Sequence, residues 1–238
     1  MSVFVISDLH LSTNNATKAM DVFGARWRDY HKKIEENWKS IVSDEDTVII
    51  PGDISWAMTL DDAVDDFKLL NSLPGTKIIG KGNHDFWWAT ASKMYRFFEQ
   101  NNFNTLRILY NNSFVADGIA LCGSRGWFSE ENNQKTVGEV DWKKIVDRET
   151  ARLKISLESV TKEHSDLPKL VFLHFPPVWN SSVSEDIIAL MHEHNVTKCY
   201  YGHIHGVYTS DAVFEYEGIR FEMISADYLG FCPRKVTM

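Results

Sequence analysis

Five short apolar runs in this chain all end the same way. "VFVIS" (3–7) meets Asp8, "TVIIPG" (47–52) meets Asp53, "KIIGKG" (77–82) meets Asn83, "KLVFL" (169–173) meets His174, and "KCYYG" (198–202) meets His203. β-rich runs that are continuous rather than alternating are the pattern of strands covered on both faces. Helical periodicities lie between them. Residues 16–42 carry Met20, Phe23, Trp27, Ile34, Trp38 and Ile41 at mixed three- and four-residue spacing. Residues 59–73 open with Thr59 and acidic residues and stop at Pro74-Gly75; 89–101, 138–164 and 184–195 follow. Strands alternating with helices predict α/β layering.

Two stretches break the alternation. Residues 107–127 read as two or three strands turning at Asp117-Gly118, and 207–225 as a hairpin around Glu217-Gly218. Both predict antiparallel additions to the sheets. No Pro/Gly/Ser-rich linker divides the 238 residues, so a single domain over 1–238 is expected. "SEENNQKTVGE" (129–139) is the most loop-like stretch and a candidate mobile one.

Ligands of open α/β sheets gather beyond the carboxyl ends of the strands. Five of the nine histidines, His10, His84, His174, His203 and His205, fall there, with Asp8, Asp53 and Asn83. Asp8-Leu9-His10 and His203-Ile204-His205 have polar groups at i and i+2, which share a face in extended backbone. Gly52, Gly82 and Gly202 precede the first polar group in three runs and permit close backbone approach. A lone strand-end His or Asp is usually a cap or an anchor. Five in order, each after a buried-strand pattern, are not explained that way.

The donors are nitrogen and oxygen with no thiolate, a set that suits Mn, Fe, Zn, Co or Ni. The group is too large for one ion. Two ions ~3.5–4 Å apart, clamping the attacking and leaving oxygens of a displacement at phosphorus, fit better. Such ions also resolve a charge problem. The formal net charge is −8 without a basic run, which makes a poor binder of nucleic acid or anionic membrane, so metal must attract an anionic substrate. Cys122, Cys199 and Cys232 form no CxxC pair and read as reduced thiols. "MSVFVISDLH" reads as a first strand, not a signal peptide, and a cytoplasmic location with no membrane contact is expected.

The ordered set D-L-H (8–10), G-D (52–53), G-N-H-D (82–85), H (174) and G-H-I-H (202–205) resembles the calcineurin-like metallophosphoesterase superfamily, over residues 3–206. The resemblance implies a four-layer α-β-β-α sandwich with two mixed β-sheets and a dimetal site at the strand C-terminal ends. It implies that Asp8, His10, Asp53 and His205 hold one divalent ion, and that Asp53, Asn83, His174 and His203 hold the other, with Asp53 bridging. A metal-bridging water would be the nucleophile. His84 would protonate the leaving oxygen or stabilise the phosphoryl group, and Asp85 would orient His84. Mn is the first expectation for the metal, with Fe, Zn, Co or Ni as alternatives.

The expected activity is hydrolysis of a small phosphoric ester, monoester or diester. A cyclic-nucleotide phosphodiesterase or nuclease is the alternative, and a non-catalytic scaffold of the same fold the minor one. "GDISWAM" (52–58) departs from the G-D-x-V-D-R-G of the Ser/Thr protein phosphatases and lacks their arginine. "PGDISWAM", "GNHDFWW" and "CGSRGW" together look most like a bacterial branch of predicted phosphohydrolases. Arg125 is a candidate replacement for the missing arginine, against the plainer reading of a loop arginine in a surface salt bridge. Trp56, Phe86, Trp87, Trp88 and Trp127 adjoin the motif loops, either as a wall for a flat substrate group or as wedges that hold the loops. The plainer reading is expected for at least two of Phe86, Trp87 and Trp88. His192 and His194 read as a polar helix end, His31 and His164 as solvated, and "DDAVDD" (61–66) as an acidic helix start.

Overall fold

The computed structural model describes residues 1–13, 20–128 and 142–237. The chain runs β1 (Val3–Val5), α1 (Tyr30–Ile41), β2 (Thr47–Ile50), α2 (Val64–Ser72), β3 (Thr76–Ile79), α3 (Ala91–Gln100), β4 (Leu106–Ile108), β5 (Ser113–Ala116), β6 (Ile119–Ser124) and α4 (Trp142–Glu158). It continues with β7 (Lys169–Leu173), β8 (Val178–Trp179), β9 (Ser182–Val183), α5 (Glu185–Glu193), β10 (Lys198–Tyr201), β11 (Val213–Tyr216), β12 (Ile219–Met223) and β13 (Arg234–Lys235). All five apolar runs are therefore strands, and each lies in one of two sheets. The first sheet has the order β13-β1-β2-β3-β4 and the second β11-β12-β10-β7-β6-β5; β8 and β9 form a small separate ribbon.

β1 to β4 are parallel in the first sheet, with β13 antiparallel at its edge. β6, β7, β10 and β12 are parallel in the second. The antiparallel strands β5 and β11 close its two edges. The hairpin turns are where the sequence places them: Asp117-Gly118 has φ 49° and 72°, and Glu217-Gly218 has φ 48° and 76°. Positive φ at both central residues is the turn whose twist matches paired strands. The 107–127 stretch divides between sheets, since β4 pairs with β3 while β5 pairs with β6.

Side-chain alternation builds the layers. Val3, Val5, Ile49 and Ile78 of the first sheet pack with Leu121, Leu170, Phe172 and Tyr200 of the second, forming a core between sheets. The intervening Phe4, Val48, Ile50 and Ile79 pack against Ile34, Trp38, Phe67 and Phe98 of α1–α3. On the far side, Val171, Leu173, Cys199 and Tyr201 pack against Leu153 and Leu157 of α4 and Ile188 and Met191 of α5. The result is the helix–sheet–sheet–helix sandwich. Buried faces on both sides of each sheet explain why the strands read as unbroken apolar runs.

The expected helix over 16–42 is shorter than its periodicity. Gly24 at φ 124° and Asp29 at φ 55° leave helical backbone, so α1 starts at Tyr30 and short 3-10 turns cover Met20–Phe23 and Ala25–Trp27. The candidate loop 129–139 lies outside the described residues. Among the described residues no helix is long and apolar enough to cross a membrane.

Candidate metal centre

The two sheets touch at one end. Ser7, just past β1, bridges Ser225, just past β12, with Ser7 N donating to Ile224 O at 2.8 Å and Ala226 N to Ser7 O at 2.8 Å. The carboxyl ends of β1, β2 and β3 thereby face those of β7 and β10. Asp8, His10, Asp53 and Asn83 come from the first sheet, and His174, His203 and His205 from the second.

The donor atoms gather in two adjoining groups that could each hold a metal ion: Asp8, His10 and His205, and Asp53, His174 and His203, with the atoms of each group within 4.8 Å of one another. In the first, His10 Nε2 lies 3.1 Å from His205 Nε2, and His205 Nε2 lies 3.7 Å from Asp8 Oδ1. In the second, Asn83 Oδ1 lies 2.7 Å from His174 Nε2 and 3.0 Å from His203 Nδ1. Asp53 Oδ2 stands between the groups, 3.5 Å from His174 Nε2 and 3.7 Å from His10 Nε2.

The local backbone is unusual. Asp8, His10, Asp53 and His203 have φ of 59°, 46°, 51° and 70°. That region is sparsely populated by side chains other than Gly, Asn, Asp and His, and it concentrates at functional sites. The i, i+2 argument for Asp8 and His10 therefore needs correction. The strand has ended before Asp8, and left-handed backbone, not extended backbone, delivers both side chains, while Leu9 turns fully into the core. Hydrogen bonds hold the loops: His203 N donates to Asp8 Oδ1 at 3.0 Å, His84 N to Asp53 Oδ1 at 2.8 Å and Tyr30 OH to His10 O at 2.6 Å. Two glycines are required by close approach. A Cβ on Gly82 would overlap Asp53 Oδ1 and the Asp53 amide, and one on Gly202 would overlap Asp8 Oδ2 and Ser7 Oγ.

The electrostatics fit cations. Burial pushes the Asp8 carboxyl up to about 6 against the opposing pull of His205. Burial, then the charges of Asp85 and Asp8, raise Asp53 well above the ordinary carboxylate range. Among the described residues neither is ion-paired with a lysine or arginine; their neighbours are histidines. Burial also drives His10 and His174 well below the usual imidazole value and lowers His203 to about 3. Neutral imidazole is the form that ligates metal. Ring nitrogens His10 Nδ1 and His174 Nδ1 are buried without a hydrogen-bond partner. Buried carboxylates without fixed cations, beside neutral imidazoles, are a donor set suited to divalent ions.

One supporting residue escaped the sequence reading. Asp227, fully buried, lies 2.9 Å from His205 Nδ1 through Oδ1, while its Oδ2 accepts from Gly206 N at 3.0 Å and Tyr208 OH at 3.1 Å. Burial opposes the charged forms of both groups, but their mutual hydrogen bond and charge prevail, raising His205 and lowering Asp227. A carboxylate behind a ligating imidazole fixes its tautomer and orientation. The available signal was "FEMIS" (221–225), another apolar run ending in a polar group, with the acid two residues on.

Two expected roles change. Asp85 does not back His84. Its oxygens accept from Gly82 N (2.7 Å), Asp53 N (2.9 Å), Ile54 N (2.9 Å), Ser55 N (3.4 Å) and Trp87 Nε1 (3.1 Å). It clamps the 52–55 loop to the 82–87 loop, because a buried carboxylate must find donors and these amides face it. Arg125 is drawn into a structural cluster. Buried Glu149 demands cations, and its Oε1 takes Arg152 Nη1 at 2.6 Å, Arg125 Nη2 at 3.2 Å and Arg148 Nε at 3.5 Å, while the Arg125 guanidinium stacks 4.4 Å from the Trp127 ring centroid. Arg125 does form a salt bridge, but with a buried carboxylate rather than at the surface.

His84 lines a cavity of about 420 Å³ with His10, Asp53, His203 and His205; the rest of its lining is Met20, Phe23, Trp27, Trp56, Gly206 and Tyr208. Trp56 faces this cavity and stacks on His10 at 4.9 Å and 22°. Trp87 and Trp88 pack into the helix-side core, Trp127 packs on Phe175, and Phe86 is exposed beside His84. Farther off, His31 is half-buried and accepts from Ser12 N at 3.2 Å rather than being solvated. Asp66 of the acidic helix start is buried and accepts from Thr13 N at 2.8 Å.

The sandwich thus brings two adjoining groups of N/O donors together at the end where its sheets meet. The family model described as calcineurin-like phosphoesterase matches residues 1–207, and the chain belongs to that family. No curated protein matches its sequence. Similar solved structures carry low identity. The phosphopantetheinyl hydrolase of Mycobacterium tuberculosis aligns at 15% identity over 99% of this chain and 95% of its own, with TM-score 0.55. TT1561 of Thermus thermophilus aligns at 13% over 99% and 97%, with TM-score 0.56. A protein of unknown function from Aquifex aeolicus, AQ665, aligns at 15% over 98% and 95%, with TM-score 0.52. At such identity these likenesses speak to the fold alone.

Proposed function

We propose that this chain hydrolyses small phosphoric esters with two divalent ions, one held by Asp8, His10, Asp53 and His205 and the other by Asp53, Asn83, His174 and His203. The observation that carries this reading is the position of Asp53 Oδ2, within 3.5 Å of His174 Nε2 and 3.7 Å of His10 Nε2, between two groups of N/O donors. When bound, such ions supply a water acidified towards neutral pH and positive charge for the phosphoryl oxygens.

The residues supply the remainder. Neutral His10, His174 and His203 offer nitrogen lone pairs, and Asn83 offers a neutral oxygen that leaves more positive charge in the site than a carboxylate would. The His84 backbone N–H, bonded to Asp53 at 2.8 Å, ties its loop to the ligands, and its imidazole faces the cavity, where it can give a proton to the leaving oxygen. The Trp56 ring, 4.4 Å from that of His84, limits water around the transfer. Among the described residues no lysine or arginine lines the cavity, so charge attraction falls to the ions, which suits a small ester better than a long nucleic acid.

The test is reconstitution with Mn²⁺, Fe²⁺, Zn²⁺, Co²⁺ or Ni²⁺ and assay on p-nitrophenyl phosphate and bis-p-nitrophenyl phosphate. Turnover with at least one ion is expected, and the ratio assigns monoester or diester preference. His84→Ala is expected to keep both ions and lose roughly 10²–10⁴-fold in kcat. Absence of turnover with every ion overturns the reading in favour of a non-catalytic member of the fold.

A further inference from the structure

The cavity has more lining than the chemistry needs. Beside the candidate ligands and His84 stand Met20, Phe23, Trp27, Trp56 and Tyr208, of which four are aromatic. Phe23 is 68% exposed and makes no ring contact with another described side chain. Tyr208 is 49% exposed yet fixed: its hydroxyl donates to Asp227 at 3.1 Å and the Arg26 guanidinium lies 4.2 Å from its ring centroid. Trp27 is buried, with its ring 5.5 Å from that of ligand-group His205.

The placement is concentrated. Of ten exposed large apolar side chains among the described residues, Val22, Phe23, Met58, Phe86 and Tyr208 stand on segments that line or flank this site. Folding gains nothing from leaving them in water, and exposed apolar side chains gathered around a polar centre mark recognition of a ligand. Phe23 stands on a 3-10 turn and Tyr208 on the loop after β10, so two separate segments flank one opening.

From this we infer that the chain selects phosphoric esters whose alcohol side carries a flat, apolar ring, held between Phe23, Trp56 and Tyr208 while the phosphoryl group meets the ligand side of the cavity. This rests on the phosphoesterase reading above and narrows its substrate class. A polyhydroxylated alcohol such as a sugar would find aromatic surface and little polar partnership on that wall. An inorganic polyphosphate would leave the aromatic surface of the wall wet. A flat ring gains burial, and aromatic stacking adds to it.

The test uses the reconstituted full-length chain and three esters whose leaving alkoxides have similar basicity: 2-(1-naphthyl)ethyl, hexyl and glycerol phosphates, or their methyl diesters if diesters are the class turned over. We expect kcat/KM for the naphthyl ester at least about tenfold above both others, the scale of one apolar contact in a selective pocket. Phe23→Ala, a change at an exposed turn, is expected to bring that ratio within about threefold while metal content stays at the wild-type value. Equal kcat/KM across the three esters, preference for the hexyl ester, or an unchanged ratio in Phe23→Ala overturns the inference while leaving the phosphoesterase reading intact. If none of these esters is hydrolysed while a p-nitrophenyl ester is, the inference is overturned; if neither set is hydrolysed, the phosphoesterase reading fails. Binding of 2-(1-naphthyl)ethanol, read by quenching of tryptophan fluorescence, then decides the wall separately: loss of quenching in Phe23→Ala supports it and no quenching in the wild type overturns it.

Discussion

Among the candidate ligands, Asp8 and His174 are fully buried and Asp53 is 1% exposed; on the aromatic lining of the cavity, Phe23 is 68% and Tyr208 49% exposed. The ligand side is tied at every step. Asp8 receives the His203 amide, Asp53 receives the His84 amide, and Asp85 receives four backbone amides from the two loops beside it. Phe23 on the wall stands beside Gly24 at φ 124° and lacks comparable ties. The contrast matches two tasks. Ligand atoms must be held to fractions of an ångström, which takes a rigid supporting shell. A recognition wall must admit a substrate, and mobile elements come from the segments with the fewest buried contacts.

Filling the space beneath the ligands should have the largest effect. In Gly82→Ala the new methyl meets the Asp53 amide and carboxylate, neither of which is the movable end of a long side chain. Overpacking against such neighbours is expected to cost about 3 kcal/mol or more, and bound-metal analysis should show loss of at least one ion. A stable variant that binds two ions would mean that the two loops can separate, and that the ligand side is no more rigid than the wall.

Asp85→Asn comes next. It places an NH₂ group among donors and removes the charge that binds them. An effect of about 3 kcal/mol in urea unfolding is expected, as for other buried charged acceptors with several bonds. A variant of wild-type stability with reduced kcat would instead give Asp85 a role at the reacting atoms. Behind His205, Asp227→Asn should weaken metal binding by roughly 10–100-fold, measured by competition with a chelator. It should also loosen Tyr208, whose hydroxyl shares that carboxylate at 3.1 Å. This substitution joins the two sides of the cavity, so an effect on ester selectivity as well as metal affinity is expected.

The ligand side was legible in sequence because its logic is periodic. Each candidate ligand group follows a buried strand, and Asp8, Asp53, Asn83, His174 and His203 each end a run that the double burial of the sheets had made continuously apolar. What the residues do for one another was less legible. Asp85 is adjacent to His84 in the chain, yet its carboxylate points to the amides of a loop about thirty positions earlier, a partnership set by how β2 and β3 lie side by side. Asp227 lies beyond the last motif and reaches His205 only because the β1 and β12 ends meet at Ser7 and Ser225. The wall was hidden for another reason. Met20, Phe23 and Trp27 fit a helical stripe, and only the left-handed backbone at Asp29 and the open φ at Gly24 break that helix and turn Phe23 outwards.

Arg125 supplies the smallest and most discriminating effect. It belongs to neither side of the cavity: its guanidinium is 3.2 Å from Glu149, and it serves the packing of α4 on β6. Removing a partner from a buried ion pair ordinarily costs about 3–5 kcal/mol because a charge is stranded. Here Arg152 at 2.6 Å and Arg148 at 3.5 Å remain on the same carboxylate oxygen, so Glu149 is not stranded. Arg125→Met, which keeps most of the apolar stem against Trp127, is therefore expected to lose only about 1–2 kcal/mol of stability. Its kcat on the best p-nitrophenyl ester should stay within about threefold of wild type. If kcat fell a hundredfold with both ions still bound, Arg125 would have to reach the phosphoryl group during turnover. The cavity would then have a cationic side, and the division between a metal-bearing floor and an uncharged wall would no longer hold.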